Sequence, residues 1–286
     1  MLNENWLIAP LLEFEFMRHA IIIGIFLSVM CAVVGSYLIV QQMCMIGGAI
    51  SHAVVPGISI AFFLRINLGI GAFIAGVLSA LLVAGIKTRS RVKVDAALAL
   101  TLTSFLGLGI ILISVLKTNQ VDLDDLLFGD ILGVTSLDVW RTVSITLAIL
   151  IVTKLFYKEL QFYTFDPLGA QAGGLPVNIL YFGLICAITL TIVASMQIVG
   201  ALLVMSLLVG PAITAYLLVK ELHQMMILGS VIGIIASTTG MYLSYYVQDL
   251  PSGPAIVMVI FTGFLLAFFF SPSQGIATEF IRRSLK

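Results

Sequence analysis

The sequence has little charge. Only 10% of its 286 residues are Asp, Glu, Lys or Arg, whereas 60% are apolar. Soluble domains carry about 25% charged residues, so this chain has too few of them to cover a globule in water. Its mean hydropathy of +1.17 indicates lipid as its natural solvent. The 14 basic residues are balanced by 14 acidic ones, which excludes the basic surface that nucleic-acid-binding proteins present.

The sequence also lacks the motifs of common catalytic sites. It has no G-x-x-x-x-G-K-[ST] phosphate loop, so the chain does not hydrolyse a nucleotide itself. It has no G-x-S-x-G elbow, and no two carboxylates lie deep in separate apolar runs, as an intramembrane aspartyl protease would need. The cysteines lie in apolar runs without C-x-x-C spacing and are expected to be buried side chains: Cys31, Cys44 and Cys186. We therefore predict that the chain holds no catalytic residue and binds no cofactor.

Long uncharged runs predict an all-α, polytopic transmembrane bundle. A crossing helix needs about 20 predominantly apolar residues, and helices are the only spanning structure that fits runs this long. On this basis we place nine helices, near residues 18–40, 45–64, 68–86, 96–116, 139–157, 178–197, 200–219, 225–247 and 254–271. An eight-span arrangement, in which two of the shorter helices merge, stays open.

The distribution of Lys and Arg predicts the orientation of the bundle. Basic residues favour cytoplasmic loops, and the densest basic cluster lies at 87–93. With that cluster in the cytoplasm, nine spans put 10 basic residues inside and 4 outside, the N-terminus outside and the C-terminus inside. We expect a single transmembrane domain over 1–286. Its parts are an interfacial segment at 1–16, a helical bundle at 17–272, a cytoplasmic loop at 158–177 and a cytoplasmic tail at 273–286.

The second predicted span opens with residues that a merely apolar helix does not need. The stretch 47–57 reads GGAISHAVVPG. Small residues allow helices to approach closely in lipid, Pro56 frees backbone carbonyls, and an ionisable residue inside a span is a functional candidate. His52 either belongs to a transport path or forms a hydrogen bond with a neighbouring helix. Ser51 is its neighbour in the helix and does not face it, so a catalytic pair is not expected. Gly210-Pro211 predicts a kink in the seventh span.

The loop at 158–177 has the signals of a short helix between two spans. Asp166 followed by Pro167 is typical of an N-cap and a first helical residue, and Gly173-Gly174 supplies a stop. A helix here with few charges either lies along the membrane as a linker or docks with a cytoplasmic partner.

Four segments resemble the membrane permeases of bacterial manganese, zinc and iron ABC importers. They occur in the family's order: MIGGAISHAVVPGIS at 45–59, DPLGAQAGGLPV at 166–177, GALLVMSLLVGPAITA at 200–215 and PSGPAIV at 251–257. The hydrophobic profile between them is similar from about residue 16 to 272. Within the family, the manganese permeases of cyanobacteria look most similar.

The resemblance implies a multi-pass protein of the bacterial plasma (inner) membrane that forms a homodimer around a pore. It implies two copies of a separate ATP-binding subunit, an extracytoplasmic metal-binding protein, and a divalent metal, manganese first, as cargo. The segment 166–177 resembles the coupling helix that fits a groove of the ATPase. The positions that match are Asp166, Pro167, Ala170, Gly174 and Pro176, whereas Leu168 stands where the family usually has an acidic residue.

The SHAVVPG segment resembles the family's pore helix, in which an aspartate and a histidine one turn apart coordinate the passing ion. His52 matches the histidine and is the expected metal ligand, but Gly48 occupies the aspartate's position. Manganese favours oxygen ligands. Either backbone carbonyls and waters complete the site, or the chain is an altered or inactive variant. The expected pore-lining or gate residues are Gly48, Ser51, His52, Pro56 and Pro211.

Other functions stay open at this point. A secondary carrier or channel would be stable alone and would transport in vesicles without ATP. An intramembrane enzyme that uses His52 would be active as the isolated chain, and a scaffold would not need interrupted helices. Zinc and iron stay open as cargo beside manganese. The leading hypothesis is an ATP-driven metal importer in which coupling helices rock two permease halves.

Overall fold

A computed structural model describes residues 14–116, 129, 131, 133–247 and 250–271. All regular structure in these ranges is helical, as the sequence predicts. The helices are α1 (Glu15–Val40), α2 (Cys44–Phe63), α3 (Leu68–Arg89), α4 (Val94–Val115), α5 (Ser136–Leu155), α6 (Tyr157–Phe165), α7 (Pro167–Ala172), α8 (Val177–Leu218), α9 (Leu222–Tyr246) and α10 (Ser252–Phe270). Most of the expected interfacial segment and the whole expected tail lie outside the described residues.

Eight described helices are long and apolar enough to cross a membrane. The difference from the nine predicted spans arises in α8, which contains both predicted spans 178–197 and 200–219 in one run of 42 residues. A straight helix of that length would be about 63 Å long, twice the roughly 30 Å of a hydrocarbon core. α8 is not straight, because Gly200 has φ 74° and ψ 161°, far outside the helical region.

The chain reverses direction at Gly200, so α8 consists of two arms, α8a (177–199) and α8b (201–218). Leu180 in α8a lines a small cavity with Tyr37, near the end of α1. Ala215 in α8b packs near Val40, at the same end of α1. In a straight helix these two residues would lie about 50 Å apart. Both arms therefore run along α1 in opposite directions, and the break that the sequence predicts between the two spans is the turn of a helical hairpin.

Two groups of helices form the bundle, and α8 contacts both. α1 packs against α5, α8 and α9, whereas α2 packs against α3 and α4. The backbones of α2 and α3 touch where Gly57 meets Gly71, since a Cβ on either glycine would overlap the carbonyl oxygen of the other. Small residues have this role in lipid, where close packing rather than water exclusion holds helices together.

The described helix ends collect at two ends of the bundle. At one end, a cavity of about 380 Å³ is lined by Asn67, Arg141 and Gln197, from the starts of α3 and α5 and the end of α8a. At the other end, the side-chain amide of Gln41 donates to the hydroxyl of Thr164 at 3.1 Å. This bond joins the turn between α1 and α2 to α6. We call the second end the elbow end, because it contains α6 and α7.

Candidate functional site

A half-exposed face of α2 carries the two residues of the expected metal path. Most of α2 is buried, but Gly48 and His52 are half-buried. They are four residues apart and so share one face of the helix. Met45, which is 66% exposed, continues this face toward the start of α2. The single chain therefore leaves a stripe of α2 uncovered, and His52 lies on it.

The space beside Gly48 can hold a side chain. A Cβ at residue 48 would meet only the Cε atom of Met205, at 3.5 Å, which is ordinary contact. A Cβ at residue 47 would lie 3.2 Å from the Sδ atom of Met205. Met205 in α8b thus places a half-buried thioether against the start of α2. Its position depends on the reversal at Gly200, so no local signal in the sequence predicts it.

Pro56 changes the backbone at His52. It lies inside α2 and has no N–H, so the carbonyl oxygen of His52 loses its usual helical donor. His52 therefore has both an imidazole nitrogen and a backbone oxygen that the helix does not use. Pro56 itself is buried against Gly109 of α4. Ser51 is 2% exposed, and its hydroxyl donates to the carbonyl oxygen of Gly47 at 3.0 Å.

Pro211 lies at a different contact. It is buried in α8b and packs against Gly229 and Gly233 of α9. The structure therefore brings Gly48 and His52 onto one uncovered face, whereas Ser51, Pro56 and Pro211 lie in the packing around it. Their role at a pore or gate stays a prediction.

One copy of the chain does not form a closed metal centre in its described part. Across these ranges, no three His, Cys, Asp or Glu side chains lie close enough together to hold a metal ion. His52 is the side-chain ligand that one copy offers on the uncovered face of α2. Such a face suits brief contact with a passing ion, or a site that a second copy completes.

The short helix expected after Asp166 is present as α7. The Oδ1 atom of Asp166 accepts from the backbone N–H of Gly169 at 2.8 Å, and Pro167 begins the helix. The helix stops where Gly174 has φ 81°, a left-handed value that favours glycine. The N–H of Leu175 then donates to the carbonyl oxygen of Ala170 at 3.0 Å. Both capping predictions are confirmed, and Pro176 follows as the N-cap residue of α8.

The elbow, which consists of α6 and α7, exposes apolar side chains. Ala170 is completely buried and anchors α7, whereas Leu168 is 79% exposed, Phe165 57% and Phe162 44%. Exposed apolar side chains of a membrane protein are typical of surfaces that contact lipid or a partner protein. In α6, burial, together with the nearby Tyr181, raises the pKa of Tyr163 to about 12, so its hydroxyl stays neutral.

A hydrogen bond connects the elbow to the start of α2. Gln41 lies in the turn between α1 and α2, and its side-chain amide donates to Thr164 of α6. Cys44, three residues after Gln41, begins the helix that carries His52. Sequence reasoning missed this bond because its partners are 123 residues apart.

Comparison with known proteins places these features in a family. The sequence matches the ABC 3 transport family over residues 13–271. The chain belongs to this family. Among ABC 3 relatives, the manganese transport system membrane protein MntC of Halalkalibacterium halodurans is 40% identical over 282 residues, covering 99% of this chain and 96% of MntC. The manganese transport system membrane protein MntB of the cyanobacterium Synechocystis is 37% identical, covering 98% of this chain and 91% of MntB.

A solved structure confirms the fold. The chain aligns with a chain of PsaBC from Streptococcus pneumoniae in complex with Fab at a TM-score of 0.86 and 37% identity, covering 97% of this chain and 98% of that one. The resemblance carried by the four sequence segments is thus confirmed at the level of the family. This ABC 3 chain is a multi-pass membrane protein, and its relatives are membrane components of transport systems rather than enzymes.

Proposed function

We propose that two copies of this chain form the membrane pathway of an ATP-driven importer of a divalent transition metal, with Mn²⁺ as its main cargo. The names of the relatives support the cargo. The single observation on which the proposal depends is the exposed, capped helix α7 between two spans of an ABC 3 chain. The energy then comes from a separate ATP-hydrolysing subunit, and a metal-binding protein outside the membrane delivers the ion.

The metal path follows the uncovered face of α2. At a two-fold axis, two His52 residues would present two imidazole nitrogens and two backbone oxygens freed by Pro56. The oxygens offset part of the loss of a carboxylate at Gly48, because Mn²⁺ prefers oxygen ligands. The site remains weak without the carboxylates, and weak binding helps an ion to leave as well as to enter.

Coupling begins at α7. In this proposal the elbow end faces the cytoplasm, in accordance with the Lys/Arg distribution, and the exposed Leu168 and Phe165 fill a groove of the ATPase. When the ATPase dimer closes on ATP, it moves α7 and the attached α6. The bond from Thr164 to Gln41 passes this movement to the turn before α2, and the two copies rock between outward and inward openings.

Uptake of radioactive Mn²⁺ by cells tests the metal path. The cells express this chain with its ATPase and delivery protein. We expect His52→Gln to lower uptake at least tenfold in rate, since a ligand nitrogen is lost. His223→Gln is the matched control, because His223 is exposed beside Glu221 and lies in α9 rather than on the uncovered face of α2. Full uptake by His52→Gln, at equal protein level in the membrane, would contradict the proposed path.

A further inference from the structure

A crevice of about 610 Å³ lies at the elbow end, between α1, α5, α6 and α9. Its apolar base is formed by Val33 and Met226, which are both nearly buried. Leu150 forms one wall. It lies one helical turn before Lys154 in α5, on the side away from the elbow end. The transport mechanism described above uses none of these residues.

The rim of the crevice is basic. Lys154 and Lys158 line it, both are exposed, and neither forms an ion pair with another residue in the described part of the chain. The acidic groups nearby are Glu159, which also lines the crevice, and Glu221. The carboxylate of Glu221 already accepts from Gln224 at 2.9 Å. The charged residues that line the crevice are therefore two lysines and one glutamate, which leaves one net positive charge in the lining, whereas Glu221 keeps its negative charge just outside the lining.

A tyrosine that lies between the two lysines in the sequence adds a hydrogen-bond donor to the crevice. Tyr157 lines the crevice, and burial, followed by the nearby Glu221 carboxylate, raises the pKa of its hydroxyl. The hydroxyl therefore stays protonated at physiological pH and can donate. Lys154 lies in the last turn of a membrane-spanning helix, which is the depth at which lipid headgroups lie.

We propose that this crevice binds an anionic diacyl phospholipid. The phosphate lies between the ammonium groups of Lys154 and Lys158, and an acyl chain follows Leu150 and Val33 toward the bilayer. Basic pockets between membrane helices on the cytoplasmic side are known to hold anionic headgroups. The apolar lining formed by Leu150, Val33 and Met226 fits an acyl chain, which a free anion lacks. A bound lipid braces the junction of α5 and α6 against α9, next to the coupling elbow.

Native mass spectrometry of the purified full chain tests the lipid site. The chain is released from nanodiscs that contain equal amounts of phosphatidylglycerol and phosphatidylcholine, and the retained lipid is counted. The wild type should retain phosphatidylglycerol preferentially. Each of Lys154→Gln and Lys158→Gln should lower that preference about fivefold. Lys220→Gln is the matched control, because Lys220 is exposed and does not line the crevice.

In the experiment without phosphate, three results would overturn this inference: equal retention of both lipids by the wild type, unchanged preference in both crevice variants, or an equal loss in Lys220→Gln. Addition of millimolar inorganic phosphate separates the two sources of a phosphate group. If phosphatidylglycerol is retained in the presence of phosphate, the ligand is a diacyl lipid. If phosphate displaces it, the crevice is a free-anion site, which contradicts the proposal. Lipid retention is measured without transport, so a negative result here leaves the proposed transport function standing.

Discussion

Replacing Gly48 by Asp puts a carboxylate on the face of α2 that carries His52. The structure has room for it, because a Cβ at residue 48 meets only the Cε atom of Met205, at 3.5 Å. The carboxylate and the imidazole then lie one turn apart on the same face. A pair of chains gains two oxygen ligands and two negative charges at the proposed metal path.

The magnitude follows from charge and solvation. Opposite unit charges 4 Å apart attract by about 4 kcal/mol at an effective dielectric constant of 20, and a divalent ion doubles this to about 8 kcal/mol. Taking a carboxylate out of water costs several kcal/mol, which offsets most of the attraction. A remainder of about 1.4 kcal/mol corresponds to tenfold tighter binding. We therefore expect Gly48→Asp to lower the apparent KM for Mn²⁺ about tenfold and to raise the preference for Mn²⁺ over Zn²⁺.

Initial rates of ⁵⁴Mn uptake over a range of concentrations, with Zn²⁺ as competitor, measure this effect. Gly48→Asn is the matched control, because it adds a side chain of the same size with an oxygen but no charge. The reasoning is refuted if Gly48→Asp leaves both the KM for Mn²⁺ and the metal preference unchanged, or if Gly48→Asn reproduces the whole effect.

Three further predictions concern the coupling path and the hairpin. Gln41→Ala should keep ATP hydrolysis by the assembled complex but lower the number of ions imported per ATP, and parallel assays of both rates detect this. Leu168→Asp should weaken copurification of the ATPase, whereas unchanged recovery would exclude Leu168 from the docking surface. Gly200→Ala should lower the free energy of unfolding by about 1–3 kcal/mol. Gly183→Ala, which adds a methyl group in open space, should leave the unfolding temperature in detergent unchanged.

Features that depend on neighbouring residues could be predicted from the sequence. The cap at Asp166 and the stop at Gly174 are built from hydrogen bonds within α7 and its ends, so the local order of residues is sufficient. The same holds for the break near Gly200, where only glycine tolerates the backbone angles. The capping box that starts α5, formed by Thr135 and Asp138, is a local signal that sequence reasoning missed. A Thr three residues before an acidic residue, ahead of an apolar run, could have revealed it.

Features that join distant segments could not be predicted. The bond from Gln41 to Thr164 spans 123 residues, and the approach of Met205 to Gly48 requires the reversal of α8. The number of spans could be predicted from the sequence only in part. Hydropathy predicts two separate spans at 178–197 and 200–219, but it does not show that they form one helical run turned back at Gly200.

Transport by sealed vesicles tests the central claim, that this chain moves metal only with energy from a separate ATPase. Vesicles would contain the purified chain alone or the chain with its ATPase, with the delivery protein on the outer side and ATP or no nucleotide inside. The account predicts accumulation of Mn²⁺ only in vesicles that have both the ATPase and ATP. Accumulation by the chain alone, without ATP, would contradict it and show a secondary carrier or channel.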